Sequence, residues 1–247
     1  MLVPMRAILE AADKYHYGQA AFNMNSVGQV QAAIRIHELL DSAAILQGAE
    51  ASNAYLGGAA DFMHGSLEEK TRGAKTLGDT VKRFGADSPI PVALHLDHGK
   101  SLEIVKACIA GGYTSVMIDG SNLPYADNVE LTREVVKYAH LYGVTVEGEL
   151  GVLAGLEDHV FSRSSTYTNP LQAVDFFKKT GCDALAISYG TCHGPNKGKD
   201  THIRREIAIA TKECMRHEGI RWIKVTHGSS TLPPEFLSGN NPLGGQL

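Results

Sequence analysis

Hydrophobic and polar positions alternate between two periods along the whole chain. From Pro4 to Tyr15 the apolar residues recur at helical spacing, which predicts a first helix lying across the bottom of a domain. Gln19–Asn25 then reads as a strand, and Ser26 with Gln29 makes a capping box for a helix through Leu40. Ala43–Gln47 is a second strand, and Ser66 with Glu69 caps a helix ending near Gly85. Val92–Asp97 is a third strand, followed at once by a helix over Ser101–Ala110 that Gly111-Gly112 closes. Ser115–Asp119 is a fourth strand, with a helix over Asn128–Tyr142 and Gly143 as its stop. Val144–Leu150 is a fifth. A helix over Leu171–Thr180 enters through Pro170 and stops at Gly181. Ala184–Ser188, a long helix over Thr201–Arg216, and Trp222–Thr226 complete the series.

Strands alternating with helices predict a parallel sheet. Seven such units predict an α/β fold of the TIM (β/α)8 barrel type rather than an open sheet. Beyond Thr231 come Pro233-Pro234, Gly239-Asn240-Asn241-Pro242 and Gly244-Gly245, and nothing there reads as an eighth strand. The expectation is one barrel domain over residues 1–247, truncated before its eighth strand, with the C-terminal part of the barrel missing. Gly151–Thr168 is long for a barrel loop and is a candidate lid.

Composition narrows the classes. The 247 residues carry 23 Lys and Arg against 27 Asp and Glu, a net charge of −4, so no clustered basic face marks a nucleic-acid binder. The longest apolar runs are too short to cross a bilayer. Glu10, Asp13 and Lys14 interrupt any signal-peptide core. Cys108, Cys182, Cys192 and Cys214 have no framework spacing and read as reduced thiols of a cytoplasmic protein. Cys192 adjoins His193, but neighbours on a strand point to opposite faces, which argues against a catalytic Cys-His pair.

The candidate chemistry lies at the strand ends, where a barrel gathers its functional groups. An isolated Asp-His pair such as Asp97-His98 is usually a cap beside a satisfied histidine. Recurrence changes that reading. His98-Gly99, His193-Gly194 and His227-Gly228 each close a strand-like run, whereas composition alone predicts about one His-Gly dipeptide in the chain. Three imidazoles from the third, sixth and seventh strands suit a catalytic zinc with one open position; iron or cobalt would accept the same ligands. Asp97, beside a ligand, is placed for proton transfer. Glu147 and Glu149 share one face of the fifth strand and suit a supporting or alternative ligand role. His95, deeper in the third strand, reads as structural, and Lys224 faces away from His227. Asn23, Gln47 and Asp119 are further strand-end candidates, although each is also a plausible backbone anchor. Gly194-Pro195-Asn196-Lys197 and Gly228-Ser229-Ser230-Thr231 are glycine-rich joints after late strands, and together they favour a phosphorylated substrate.

Taken in order, Ala21–Asn25, His95–His98, Met117–Ser121, Val146–Gly151, Gly155–Asp158, Gly190–Gly194 and His227–Ser230 resemble the class II, zinc-dependent fructose-bisphosphate aldolases and the related tagatose-bisphosphate aldolases. The resemblance runs from about Met1 through Gln246. It implies zinc on His98, His193 and His227, with Glu149 and Asp119 as supporting or alternative metal-site groups. It implies that Asp97 shuttles the proton of the C4 hydroxyl, and that Glu157 is the loop acid working at carbon three of dihydroxyacetone phosphate. Gly194, Lys197, Gly228 and Ser230 resemble the phosphate cradle, near which members often hold a monovalent cation, Na+ or K+. Asn23 and Gln47 fall among the substrate-binding positions, while Ala49 stands where many members have serine. The implied reaction is reversible cleavage of fructose 1,6-bisphosphate into dihydroxyacetone phosphate and glyceraldehyde 3-phosphate, in glycolysis and gluconeogenesis. The alternatives are the tagatose epimer, a catalytically silent barrel scaffold, or a metal-dependent hydrolase. The hydrolase would favour a His-x-His on the first strand, where Asn23 stands. A homodimer or homotetramer is the assembly implied for the full-length protein, and weak or no activity is expected of the chain without its eighth strand.

Overall fold

The computed structural model describes residues 2–157, 160–162, 166–194 and 203–229; for 154–157 and 160–162 it describes the backbone alone. The elements are α1 (Met5–Tyr15), β1 (Ala21–Asn23), α2 (Val27–Leu39), β2 (Ala44–Ala49), α3 (Glu50–Leu56), α4 (Leu67–Gly85), β3 (Val92–Gly99), α5 (Leu102–Ala110), β4 (Ser115–Ile118) and α6 (Tyr125–His140). They continue through β5 (Thr145–Leu150), β6 (Ala154–Glu157), β7 (Val160–Ser162), α7 (Pro170–Thr180), β8 (Ala184–Ile187), β9 (Cys192–His193), α8 (Arg205–His217) and β10 (Lys224–Val225).

The side-chain-capped helix starts are where the sequence signals put them. Ser66 accepts the Glu69 N–H while the Glu69 carboxylate accepts the Ser66 N–H, a complete capping box for α4. The Ser101 and Asn169 side chains cap α5 and α7.

Seven strands form one sheet in the order β1-β2-β3-β4-β5-β8-β10, with every neighbouring pair parallel. The sheet is curled into a half-barrel. Four strand spacings separate β2 from β8 in that order, which in a flat sheet is about 19 Å. Yet Ile45 of β2, Ala93 of β3, Ala184 of β8 and Ile223 before β10 pack in a single cluster. Met5, Ile8 and Leu9 of α1 close that cluster, so α1 plugs the amino end of the curl. The larger core lies on the other face, where Leu46, Leu94, Leu96, Val116, Val146 and Leu185 meet the helices. Among the described residues, no helix is long and apolar enough to cross a membrane.

Several details depart from the sequence expectation. The first strand is shorter than the predicted Gln19–Asn25, and all three of its residues are exposed at the sheet edge. Helix α3 has no forecast in the sequence, because it follows β2 directly and no side chain caps it. Its start, Glu50, is buried and ion-paired, which a local pattern does not reveal. Helix α6 begins at Tyr125 rather than Asn128, and α8 begins at Arg205, the stretch from Thr201 lying partly outside the described residues. The candidate lid is not a plain loop: β6 and β7 form a hairpin within it, and β6 pairs in parallel with β9, Gly155 opposite His193.

Candidate metal centre

The carboxyl end of β3 sets up the site through a break in its own ladder. Pairing with β4 runs His95–Ser115 and Leu96–Val116, then jumps to Gly99–Ile118, so β3 carries one extra residue. Within that bulge His98 adopts φ +46°, a left-handed conformation that is strained for any residue with a Cβ. Adjacent residues of a regular strand point to opposite faces. The bulge lifts that restriction, so Asp97 and His98 both reach the site. Gly99 makes room for it, since a Cβ there would lie 2.8 Å from the Met117 carbonyl oxygen.

The three imidazoles meet. The His98 ring centroid is 5.1 Å from that of His193 and 4.6 Å from that of His227, and His193 to His227 is 6.0 Å. His98 comes from β3, His193 from β9, and His227 follows β10. Beyond His227, Gly228 turns with φ +66° against the Cys192 backbone, where a Cβ would sit 2.3 Å from the carbonyl oxygen. Only glycine allows the two histidine-bearing segments to approach this closely.

The His98 and His227 rings each have a carboxylate behind or beside them. His98 Nδ1 lies 3.0 Å from Asp119 Oδ2 and 3.7 Å from Glu149 Oε2. His227 Nε2 lies 2.9 Å from Glu147 Oε1, and the other oxygen of Glu147 lies 3.5 Å from His95 Nε2. His95 Nδ1 in turn meets the Ser115 hydroxyl at 2.8 Å. Asp97 is steadied by Gln47, whose amide Nε2 donates to Oδ2 at 2.8 Å.

Charge is concentrated where water is scarce: Asp97, His98, Asp119, Glu147, Glu149 and His193 are each at most 4% exposed. Burial opposes protonation of His98, but the Asp97 charge and the Asp119 bond outweigh it and raise its pKa to about 9. Burial likewise opposes the charge on His227, and the Glu147 bond and charge outweigh it, raising its pKa to about 10. Burial, then the neighbouring Asp119 charge, pushes Glu149 up to about 7. Asp119 goes the other way: although burial disfavours its charge, the His98 bond and Lys100 hold it well below the usual carboxylate range.

The donor set fits a divalent cation. His98 Nε2, Asp97 Oδ1 and Glu149 Oε2 are buried without a hydrogen-bond partner among the described residues, a costly state that a bound cation relieves. Asp97, His98 and His227 offer ligand atoms within 4.8 Å of one another, and so do His98, Asp119 and Glu149. The outward carboxylate–imidazole bonds are the pattern that fixes the tautomer of a metal-binding histidine.

A family model described as fructose-bisphosphate aldolase class-II matches residues 3–244. The chain belongs to this family. It is thus a class II aldolase by family, a metal-dependent carbon–carbon lyase. The fructose-bisphosphate aldolase of Treponema pallidum is 40% identical over 100% of this chain and 74% of its own length. That of Geobacillus stearothermophilus is 38% identical, over 96% and 76%. The solved YdjI aldolase of Escherichia coli K12 shares the fold, with a TM-score of 0.78 at 24% identity over 100% of this chain and 80% of that one.

Other sequence candidates fare differently. Asn23 and Gln47 line a groove of about 530 Å³ together with Thr226, His227, Gly228 and Ser229, between the edge strands β1 and β10. Gly194 turns with φ +78° directly after His193. Lys197 and Ser230 lie outside the described residues, and for Glu157 only the backbone, at the end of β6, is described. Lys224 stacks over the Tyr189 ring at 5.4 Å, and burial lowers its pKa to about 8. Sequence reasoning gave His95 a structural role and passed over Lys100 and Glu50. His95 shares the period of Asp97, a signal that could have tied it to the site. Lys100 and its partner Glu50 gave no signal, because a lysine after a glycine reads as solvated loop.

Proposed function

We propose that this aldolase cleaves fructose 1,6-bisphosphate to dihydroxyacetone phosphate and glyceraldehyde 3-phosphate, on a single divalent cation held by His98, His193 and His227. The observation that carries the reading is the meeting of three imidazoles from β3, β9 and the end of β10 beside a buried carboxylate. A zinc ion in such a set supplies Lewis acidity toward the ketose oxygens, stabilising the negative charge that carbon–carbon cleavage leaves there.

The chain's own residues do the rest. Asp97, oriented by Gln47, takes the proton of the C4 hydroxyl as the C3–C4 bond breaks. Glu157, on the hairpin that pairs with β9, returns a proton to carbon three. Glu147 and Asp119 hold His227 and His98 in the tautomers that turn their other ring nitrogens to the ion. Glu149 is a supporting or alternative ligand. Asn23, Gly194, Lys197, Gly228 and Ser230 form the substrate and phosphate side, with a Na+ or K+ ion beside it.

In this reading the seven strands are seven positions of a TIM-type (β/α)8 barrel forming one domain, and the protein works in the cytoplasm as a dimer or tetramer. The free state of all four cysteines agrees with a reducing compartment. The test is a coupled cleavage assay of the intact native protein on fructose and tagatose bisphosphates, with and without a chelator. Cleavage of the fructose ester that a chelator abolishes and zinc restores is the expected result. Cleavage insensitive to the chelator removes the metal from the mechanism, and a preference for the tagatose ester reassigns the substrate.

A further inference from the structure

The His98 ring has two polar edges, and each faces a group able to hold a cation. On one side Nε2 is buried without a hydrogen bond among the described residues, facing Asp97 and the His227 ring. On the other side Nδ1 faces Asp119 and Glu149. The two three-residue clusters, Asp97-His98-His227 and His98-Asp119-Glu149, overlap only at this ring. The second is rich in carboxylate oxygen and buried, and Glu149 Oε2 has no hydrogen bond among the described residues. By donor chemistry it suits a divalent cation as well as the first does.

That inner edge already has a positive charge built into it. Lys100 Nζ lies 2.5 Å from Asp119 Oδ2, the same oxygen that faces His98 Nδ1. The other oxygen of Asp119 accepts from the N–H and hydroxyl of Ser121, at 3.0 and 2.6 Å. Both oxygens are therefore committed. Lys100 is itself held in place: its backbone N–H donates to Glu50 Oε1 at 2.9 Å, and the Lys70 ammonium pairs with Glu50 Oε2 at 2.6 Å. Glu50 is 7% exposed, so this is a packed anchor rather than a surface pair. A lysine ammonium is a compact point charge, and here it stands against the carboxylate where an inner ion would sit.

We propose that Lys100 is a fixed cation that closes the inner edge of His98, confining the divalent ion to the Nε2 edge and limiting the chain to one such ion. The proposal rests on the reading of His98, His193 and His227 as ligands, and it adds a residue that sets how many ions bind and where. An ion on the inner edge would have to displace the ammonium from Asp119 and strip the Nδ1 proton, or bind the two carboxylates without the ring. Removing only the charge at residue 100 opens the second course.

The test is cadmium binding by the metal-free chain, followed by equilibrium dialysis and by 113Cd NMR. The wild type is expected to take up one ion with one resonance in the nitrogen-rich range. Lys100→Met is expected to take up two, the added resonance lying upfield as an oxygen-rich site does. Lys100→Gln, which can still hydrogen-bond Asp119, is expected to behave like the methionine variant and stands in for it if that variant loses its circular-dichroism signature. Lys100→Arg, which keeps the charge, is expected to return to one ion. Two ions on the wild type, or one ion on both uncharged variants, would overturn the role given to Lys100. No ion on the wild type would instead overturn the metal reading beneath it.

Discussion

Gly99→Ala tests the device that brings Asp97 and His98 to the same site. A Cβ at this position would lie 2.8 Å from the Met117 carbonyl oxygen and 2.7 Å from Leu96 Cδ2. The leucine methyl can rotate away, but the carbonyl belongs to the adjoining strand and cannot. Ordinary contact needs roughly 3.4 Å, so β3 must retreat from β4 by about half an ångström at the bulge. Overpacking of this kind costs roughly 1–3 kcal/mol, which for a chain of this size lowers Tm by roughly 2–12 °C. The displacement falls on His98, whose strained backbone has little slack, and small shifts of metal-supporting groups lower affinity by roughly 10–100-fold. Thermal unfolding of the metal-free protein and zinc competition against a chromophoric chelator measure the two effects. Gly28→Ala is the control: it lies in the first turn of α2 with its nearest neighbour 4.0 Å away, and neither quantity is expected to fall. Wild-type zinc affinity and Tm in Gly99→Ala would refute the claim that the bulge is sterically required.

Glu147→Gln keeps the shape but weakens the grip on His227, and zinc affinity measured by chelator competition is expected to fall roughly 10–100-fold. Asp97→Ala is expected to retain its zinc by mass spectrometry while aldol turnover by the holoenzyme falls roughly 10²–10⁴-fold; loss of zinc instead would make Asp97 a ligand. Metal uptake is expected to release protons and to strengthen as pH rises toward about 9, because His98 and His227, with pKa values of about 9 and about 10, hold protons when no ion is bound. The same two groups lie above the ordinary imidazole value of 6.5, so their stabilisation of the metal-free fold is complete below that pH. It is lost as pH rises through about 9 to 10, and the metal-free Tm is expected to fall over that interval while zinc affinity climbs.

The alternation of periods was enough to read the parallel α/β architecture and every strand of the curled sheet, because buried parallel strands and capped helices write strong local patterns. His98 and His227 were legible because each closes a strand of the curled sheet; His193 was read at the end of the sixth strand, whereas it lies on β9 of the small three-stranded sheet. What was not legible depends on contacts distant in sequence. No local rule puts Asp97 and His98 on the same side of a strand; the bulge that does so needs β4 beside it. His95 looked structural because its partners, Ser115 and Glu147, come from two other strands. Glu50 and Lys70 are 20 residues apart, and the helix carrying Glu50 follows a strand with no cap to announce it. The hairpin over β6 and β7 was read as loop because its pairing strand, β9, lies beyond α7 and β8.

X-ray absorption at the zinc edge of the loaded chain bears most directly on the claim that the three rings share one ion. The expected spectrum has three imidazole nitrogens at about 2.0–2.1 Å, with oxygen filling the remaining position. A sulfur shell near 2.3 Å, which would bring in Cys192, or fewer than three imidazoles would contradict it.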